Sequence, residues 1–250
     1  MERRFQCTAC GKCCFGWLPL TLEDAIGWAG RSPLAVVWTP VKPASKAYEL
    51  TAKFGITVRS RDKKSLAVRI VPTSYIPPSL PCPELGSDNL CQIQTNKPSR
   101  CRTMPFFPYR EESDQADLLV PRAGWLCDVS AAAPVVYRDK AILEPEDFDR
   151  ERSEIIKQTP ILRAYGEWVL KTAPAMLDDL AKAAMKPGGG HVVVSFASLL
   201  RRLSDVDKIS IAQAQLAMLA KYKEKIAGNP AMAEYQRNYG DWAWEMERLA

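Results

Sequence analysis

"GITVRSRDKKSLAVRIV", Gly55–Val71, is the stretch on which the fold turns. Two runs in it, Gly55–Ser60 and Ser65–Val71, alternate apolar and polar residues around the polar linker Arg61, Asp62, Lys63 and Lys64. Successive side chains of a strand point to opposite faces, so this alternation gives each run one apolar face. The pattern predicts an antiparallel hairpin of two half-buried strands. Downstream, the chain from Pro72 to Pro83 is dense in proline, so regular structure is expected to stop there. Upstream, Leu34–Lys53 is broken by Pro40 and Pro43 and fits no single element.

Farther out the signals change. Thr21, followed three residues later by Asp24, marks a helix start, and Gly30 and Pro33 mark its end. "CPELGSDNLCQIQTNKPSRCRTMPFFPYR", from Cys82 to Arg110, reads as loops and short turns. "ADLLVPRAGWLC", Ala116–Cys127, reads as a further strand ending near Cys127. Beyond it the apolar residues recur with helical period, interrupted by Pro160 and Pro174, which predicts three to five helices, some packed on the hairpin. The fold class is therefore α+β: a small antiparallel hairpin or sheet with cysteine-rich metal-binding loops, packed with a helical C-terminal half. Residues 1–130 form the cysteine-cluster part and 131–250 the helical part of the same compact domain. No internal repeat or linker divides them.

The 250 residues are 47% hydrophobic and 25% charged, the balance of a chain that buries a core in water. No apolar run approaches the ~20 residues that a membrane helix needs, which argues against a membrane partner. The start, Met1 to Cys7, has no signal-peptide pattern, so the expected location is the cytoplasm. Residues 1–127 carry 17 Lys and Arg against 11 Asp and Glu, a net +6, whereas residues 128–250 carry 17 against 18, a net −1. A solvated surface explains this excess first, and cations offsetting thiolate charge second. Nucleic-acid binding ranks last, because there is no long basic run or RNA-binding motif.

All eight cysteines lie in that basic half: Cys7, Cys10, Cys13, Cys14, Cys82, Cys91, Cys101 and Cys127. Four fall within the eight residues Cys7–Cys14 of "FQCTACGKCCFG", Phe5–Gly16. A cytoplasmic chain keeps thiols reduced, so such clustering points to metal or redox chemistry rather than disulfides. Thiolates are soft donors suited to zinc, Cu(I) and iron–sulfur clusters. Gly11 relaxes the turn between Cys10 and Cys13. Cys7, Cys10 and Cys13 have the C-x2-C-x2-C spacing of a ferredoxin-type 4Fe-4S loop, and Cys82-Pro83 is a remote Cys-Pro pair of the kind that completes it. Zinc also accepts C-x2-C pairs, so the spacing leaves both open. Neighbouring side chains in extended backbone diverge. One of Cys13 and Cys14 is therefore expected at a first centre and the other at a second centre or in the core. Eight thiols would fill two four-ligand sites, or one site with cysteines to spare.

The blocks "F-x-C-x-x-C-G-x-C-C" at Phe5–Cys14 and "C-P-x-L…C-x-I…K-P-x-x-C-R-x-x-P-F" at Cys82–Phe106 resemble the YkgJ-type cysteine-cluster family, a zinc- or iron-chelating domain. The resemblance covers roughly residues 5–127. It implies that all eight cysteines are metal ligands, with Cys127 the eighth. It also implies a choice of activities: iron–sulfur oxidoreductase-like or flagellin-lysine N-methylase-like. Lys97 stands where members often carry arginine.

Other features carry less. Arg100 and Arg102 flank Cys101 and are placed to offset sulfur charge, or simply to face solvent. "TMPFFPYR", Thr103–Arg110, either walls the centre from water or packs the core. His191, the single histidine, follows three glycines that do not make a P-loop. Trp242 and Trp244 fall on different sides of a helix. The leading reading is a cytosolic metal-binding protein with an all-cysteine site, an iron–sulfur cluster ranked ahead of zinc. Its partners are metal ions and an unidentified protein. An enzyme and a metal carrier or chaperone are the rivals; no catalytic residue or cofactor pocket is legible.

Overall fold

The computed structural model describes residues 2–60 and 63–250. Arg61 and Asp62, in the middle of the expected hairpin linker, lie outside the described residues. On either side of them the two strands pair as expected. Strand β4 (Ile56–Arg59) runs antiparallel to β5 (Ser65–Ser74), with Ile56 opposite Val68 and Arg59 opposite Ser65.

β5 does not stop at Pro72. It continues to Ser74 beside β3 (Leu34–Val41), which pairs with it from Leu34 opposite Ser74 to Val41 opposite Ala67. Proline cannot donate to a ladder, but in a strand the N and C=O of one residue point the same way. The Pro72 carbonyl accepts from Leu20 N at 2.9 Å. Its missing N–H therefore faces the edge covered only by the short β2 (Leu18–Pro19), which pairs with Thr73 and Ser74. β5 thus has β3 on one edge and β2 and β4 on the other, and most of its residues are buried rather than half-buried. Pro40 is tolerated for a related reason: β8 (Val192–Ser195) pairs with β3 only from Ala35 to Trp38.

The first helix begins where the capping pattern puts it. Thr21 caps α1 (Leu22–Gly27), its hydroxyl oxygen accepting from Asp24 N at 3.1 Å. The ambiguous segment after it becomes β3 and then α2 (Tyr48–Phe54). A short α3 (Ser99–Thr103) follows in the cysteine-rich loops. A second sheet pairs β6 (Val135–Arg138) with the chain start, β1 (Glu2–Arg4), and with β7 (Ala141–Ile142). No strand forms over Ala116–Cys127, where Pro121 and the left-handed Gly124 (φ 80°) break extension; only Asp128 pairs, with Gln6.

Among the described residues the C-terminal half carries five helices: α4 (Glu146–Thr172), α5 (Met176–Met185), α6 (Phe196–Leu200), α7 (Lys208–Lys225) and α8 (Ala233–Glu247). Pro160 does not interrupt α4. Its ring frees the Ile156 carbonyl, and both residues are on the exposed side, where water satisfies the lost bond. α4 crosses the hairpin at Gly166, where an added Cβ would stand 2.6 Å from Ile70 Cδ1. The main core joins both halves, packing Trp38 and Tyr75 with Tyr165, Phe196, Leu219 and Tyr239. α8 buries Trp242 and exposes Trp244, as the helical spacing implies. No helix among the described residues is long and apolar enough to cross a membrane.

Candidate metal centre

The Phe5–Gly16 segment is fastened at both ends. Near its start, Gln6 and Asp128 exchange backbone hydrogen bonds (2.8 and 2.9 Å), and the Thr8 hydroxyl donates to Leu126 O at 2.9 Å. This sets Cys7 beside Cys127. Near its end, Phe15 bridges Pro81, and Cys82 N donates to Cys14 O at 2.7 Å. This sets Cys14 beside Cys82. The 82–92 loop then doubles back, Leu85 bridging Cys91 and Gln92 N donating to Glu84 O at 2.9 Å. Asn89 of that loop rests on Gly11, whose φ of 70° begins the turn into Cys13 and Cys14. Cys101 arrives on α3, the first N–H of which, at Ser99, donates to the Asp24 carboxylate of α1 at 2.9 Å.

The eight thiols therefore come from well-separated segments into electrostatic reach of one another. Cys7 and Cys13 are exposed, and the other six are half-buried. Their mutual electrostatics divides them. Cys14 feels Cys82, Cys91 and Cys101, and Cys82 and Cys101 feel Cys91 in turn. Cys127 feels Cys10, Cys7 and Cys13. Cys13 also acts on Cys82 and Cys101, so it stands where the two groups meet.

The Cys13–Cys14 backbone is a 3-10 turn, Lys12–Cys14, rather than extended chain. The two side chains do not diverge; their sulfurs are 3.9 Å apart. Two thiolates on one tetrahedral zinc, each about 2.3 Å from the ion, would stand about 3.8 Å apart. Protonation is uneven. Cys13 shares its proton with Cys14, which raises the first and lowers the second. Hydrogen bonding from the backbone at Leu126, then at Lys12, lowers Cys10. Burial pushes Cys82 and Cys127 up, and takes Cys101 to about 12. Lys97 opposes the rise at Cys13, so this residue faces the thiols. Among the described residues, no group of three or more His, Cys, Asp or Glu side chains is arranged to hold one ion.

The flanking residues turn elsewhere. Arg100 donates to Phe106 O and faces Glu151 of α4 at 3.5 Å, and Arg102 pairs with Asp147 at 3.3 Å. Both arginines dock α3 on α4, and the Arg100 charge also opposes the rise at Cys101. Phe106 packs with Phe148 in a cluster that also takes Phe5 from the start of the cysteine segment, and Phe107 packs with Phe54 and Tyr109. His191 Nδ1 lies 3.0 Å from the Thr39 hydroxyl, on the sheet. Glu151 was not legible as a site residue. Its signal was its place in the α4 stripe Phe148, Glu151, Ile155, Gln158, Leu162, a charged residue at core spacing.

Compared with family models, curated proteins and solved structures, the chain matches none.

Proposed function

We propose that this chain is a metal-binding protein whose ligands are Cys7, Cys10, Cys13, Cys14, Cys82, Cys91, Cys101 and Cys127. The observation that carries the reading is the double fastening of Phe5–Gly16, at Gln6–Asp128 and at Phe15–Pro81. Each pairing delivers a remote cysteine to a local one, with no β-ladder to account for it. Donor chemistry fits: soft thiols within reach of one another suit iron–sulfur or zinc. The proposal rests on this donor set and its supporting segments rather than on a closed four-ligand cage.

Two groups are assigned, Cys14, Cys82, Cys91 and Cys101 in one and Cys7, Cys10, Cys13 and Cys127 in the other. An iron–sulfur cluster is the first reading, from the Cys7, Cys10 and Cys13 spacing. Zinc is the second, because C-x2-C pairs such as Cys7 and Cys10 also suit its four-thiolate sites. Elemental analysis and an absorption spectrum on anaerobically purified protein decide it. Iron with inorganic sulfide and broad visible absorption is expected. Colourless protein with stoichiometric zinc selects the second reading, and protein free of both metals, even after reconstitution, overturns the proposal.

A further inference from the structure

On β5, Val68 and Ile70 lie in the main core, so Arg69 between them takes the opposite face of the sheet. There it meets a cleft of about 280 Å³, bounded by α2 and the residues leading into it on one side and by the 107–110 segment on the other. Leu50, Phe107 and Tyr109 give the cleft apolar walls, and Ala47 is exposed at its margin.

The charges along it have one sign. Lys46, Arg69 and Arg110 line the cleft, and among the described residues no acidic side chain does. The carboxylates of the surrounding elements are engaged with other cations. Asp117 accepts from Arg110 at 2.8 and 2.9 Å, Glu111 accepts from Lys53 and Arg152, and Glu151 faces Arg100 at 3.5 Å. Lys46 is exposed, so water serves its charge. Arg69 is half-buried, its guanidinium lying over the rings of Phe107 (5.7 Å) and Tyr109 (5.3 Å), with no carboxylate partner among the described residues. Its Nε is enclosed and unpartnered, out of reach of any ligand. Neither Nη group, likewise without an acceptor among the described residues, is enclosed in this way, so the outer edge of the guanidinium is open. A half-buried cation without a counter-ion is costly, and an anion from solution relieves that cost.

We propose that this cleft binds an organic monoanion with a bulky apolar body, its carboxylate on the outer edge of the Arg69 guanidinium and its body against Leu50, Phe107 and Tyr109. A space of about 150 Å³ holds benzene, so this one admits a body of about a dozen heavy atoms. A neutral molecule leaves the Arg69 charge unbalanced, and an amine adds to it. A small inorganic anion leaves the apolar walls wet. The inference does not depend on what the thiols hold.

The test is isothermal calorimetry on the full, anaerobically purified chain with 2-naphthoate, 2-naphthalenemethanol and 2-naphthylmethylamine, which share one ring system and differ in charge. The carboxylate is expected to bind at least about tenfold more tightly than the alcohol or the amine. Arg69→Gln should weaken it by about tenfold or more while leaving the far-ultraviolet circular dichroism unchanged. Arg69, Phe107 and Tyr109 also border a neighbouring space of about 150 Å³, which Ala47 does not line. Ala47→Trp, a change at an exposed residue that narrows only the larger cleft, should therefore abolish binding, and it decides the matter if Arg69→Gln fails to fold. The proposal is overturned if 2-naphthoate does not bind up to about 1 mM, if the alcohol or the amine binds as well, or if folded Arg69→Gln or Ala47→Trp binds like the parent.

Discussion

Glu111 lies between two helices, its carboxylate bonded to Lys53 of α2 at 2.8 Å and to Arg152 of α4. The Lys53 and Arg152 hydrogen bonds pull its carboxyl from an ordinary 4.5 to about 2. A depressed carboxyl stabilises the fold fully above its unfolded value, and that contribution is lost as pH falls through the folded value. The pair is exposed and screened by water, so the effect is modest. Glu111→Gln should lower the melting temperature at pH 7, and the gap to the parent should close between pH 4.5 and about 2. Melts in a pH series check this; a gap that persists at pH 2 would mean that packing, not charge, carries the residue. The buried counterpart behaves in the opposite sense. Burial raises the Glu151 carboxyl despite Arg100, so this pair costs more to hold charged than it returns.

At the scale of elements, the hairpin closes tightest at Gly55, where β4 begins. A Cβ there would lie 2.1 Å from Val68 O and 2.8 Å from Thr51 O, both backbone atoms that cannot swing away. Gly55→Ala should therefore destabilise by about 3 kcal/mol, read as a shift in denaturation midpoint; a change below about 0.5 kcal/mol would count against this register. What was legible here was local. The β4–β5 pairing, the Thr21–Asp24 cap and the α8 tryptophans depend on near neighbours in the chain, and each formed, although β5 is buried on both faces instead of alternating. Pro72 and Pro160 misled because their missing N–H groups fall on a strand edge and on a solvent face. Neither exposure can be read from one sequence. The Ala116–Cys127 strand failed for the converse reason, with apolar residues but no partner to pair with. The clustering of Cys7, Cys10, Cys13 and Cys14 was legible through spacing, whereas the approach of Cys82, Cys91, Cys101 and Cys127 was implied only by the family resemblance. The cleft was not legible, because Ala47, Arg69 and Tyr109 come together from three separate parts of the chain.

Taken whole, the molecule has two kinds of stability, in its packed core and in its cysteine-bearing loops. The sheet β2-β5-β3-β8 and the helices around it bury a continuous apolar core. The loops have isolated bridges at Gln6–Asp128, Phe15–Pro81 and Leu85–Cys91. Their core contact comes from a few side chains, among them Cys82, Leu80 and Ile93. Segments with so few ladders and so little burial open first, well below the global unfolding free energy. If metal supplies the cross-links, its binding energy is folding energy for these loops specifically. Chelation under anaerobic, reducing conditions should then raise amide exchange across residues 5–16, 82–103 and 119–128. Exchange in β3 and β5 should stay slow, and α7 should remain protected. Hydrogen-exchange mass spectrometry distinguishes the outcomes. Uniform loss of protection would make the loops integral to the core, whereas no change at 5–16 would mean that the backbone bridges alone hold the thiols in place.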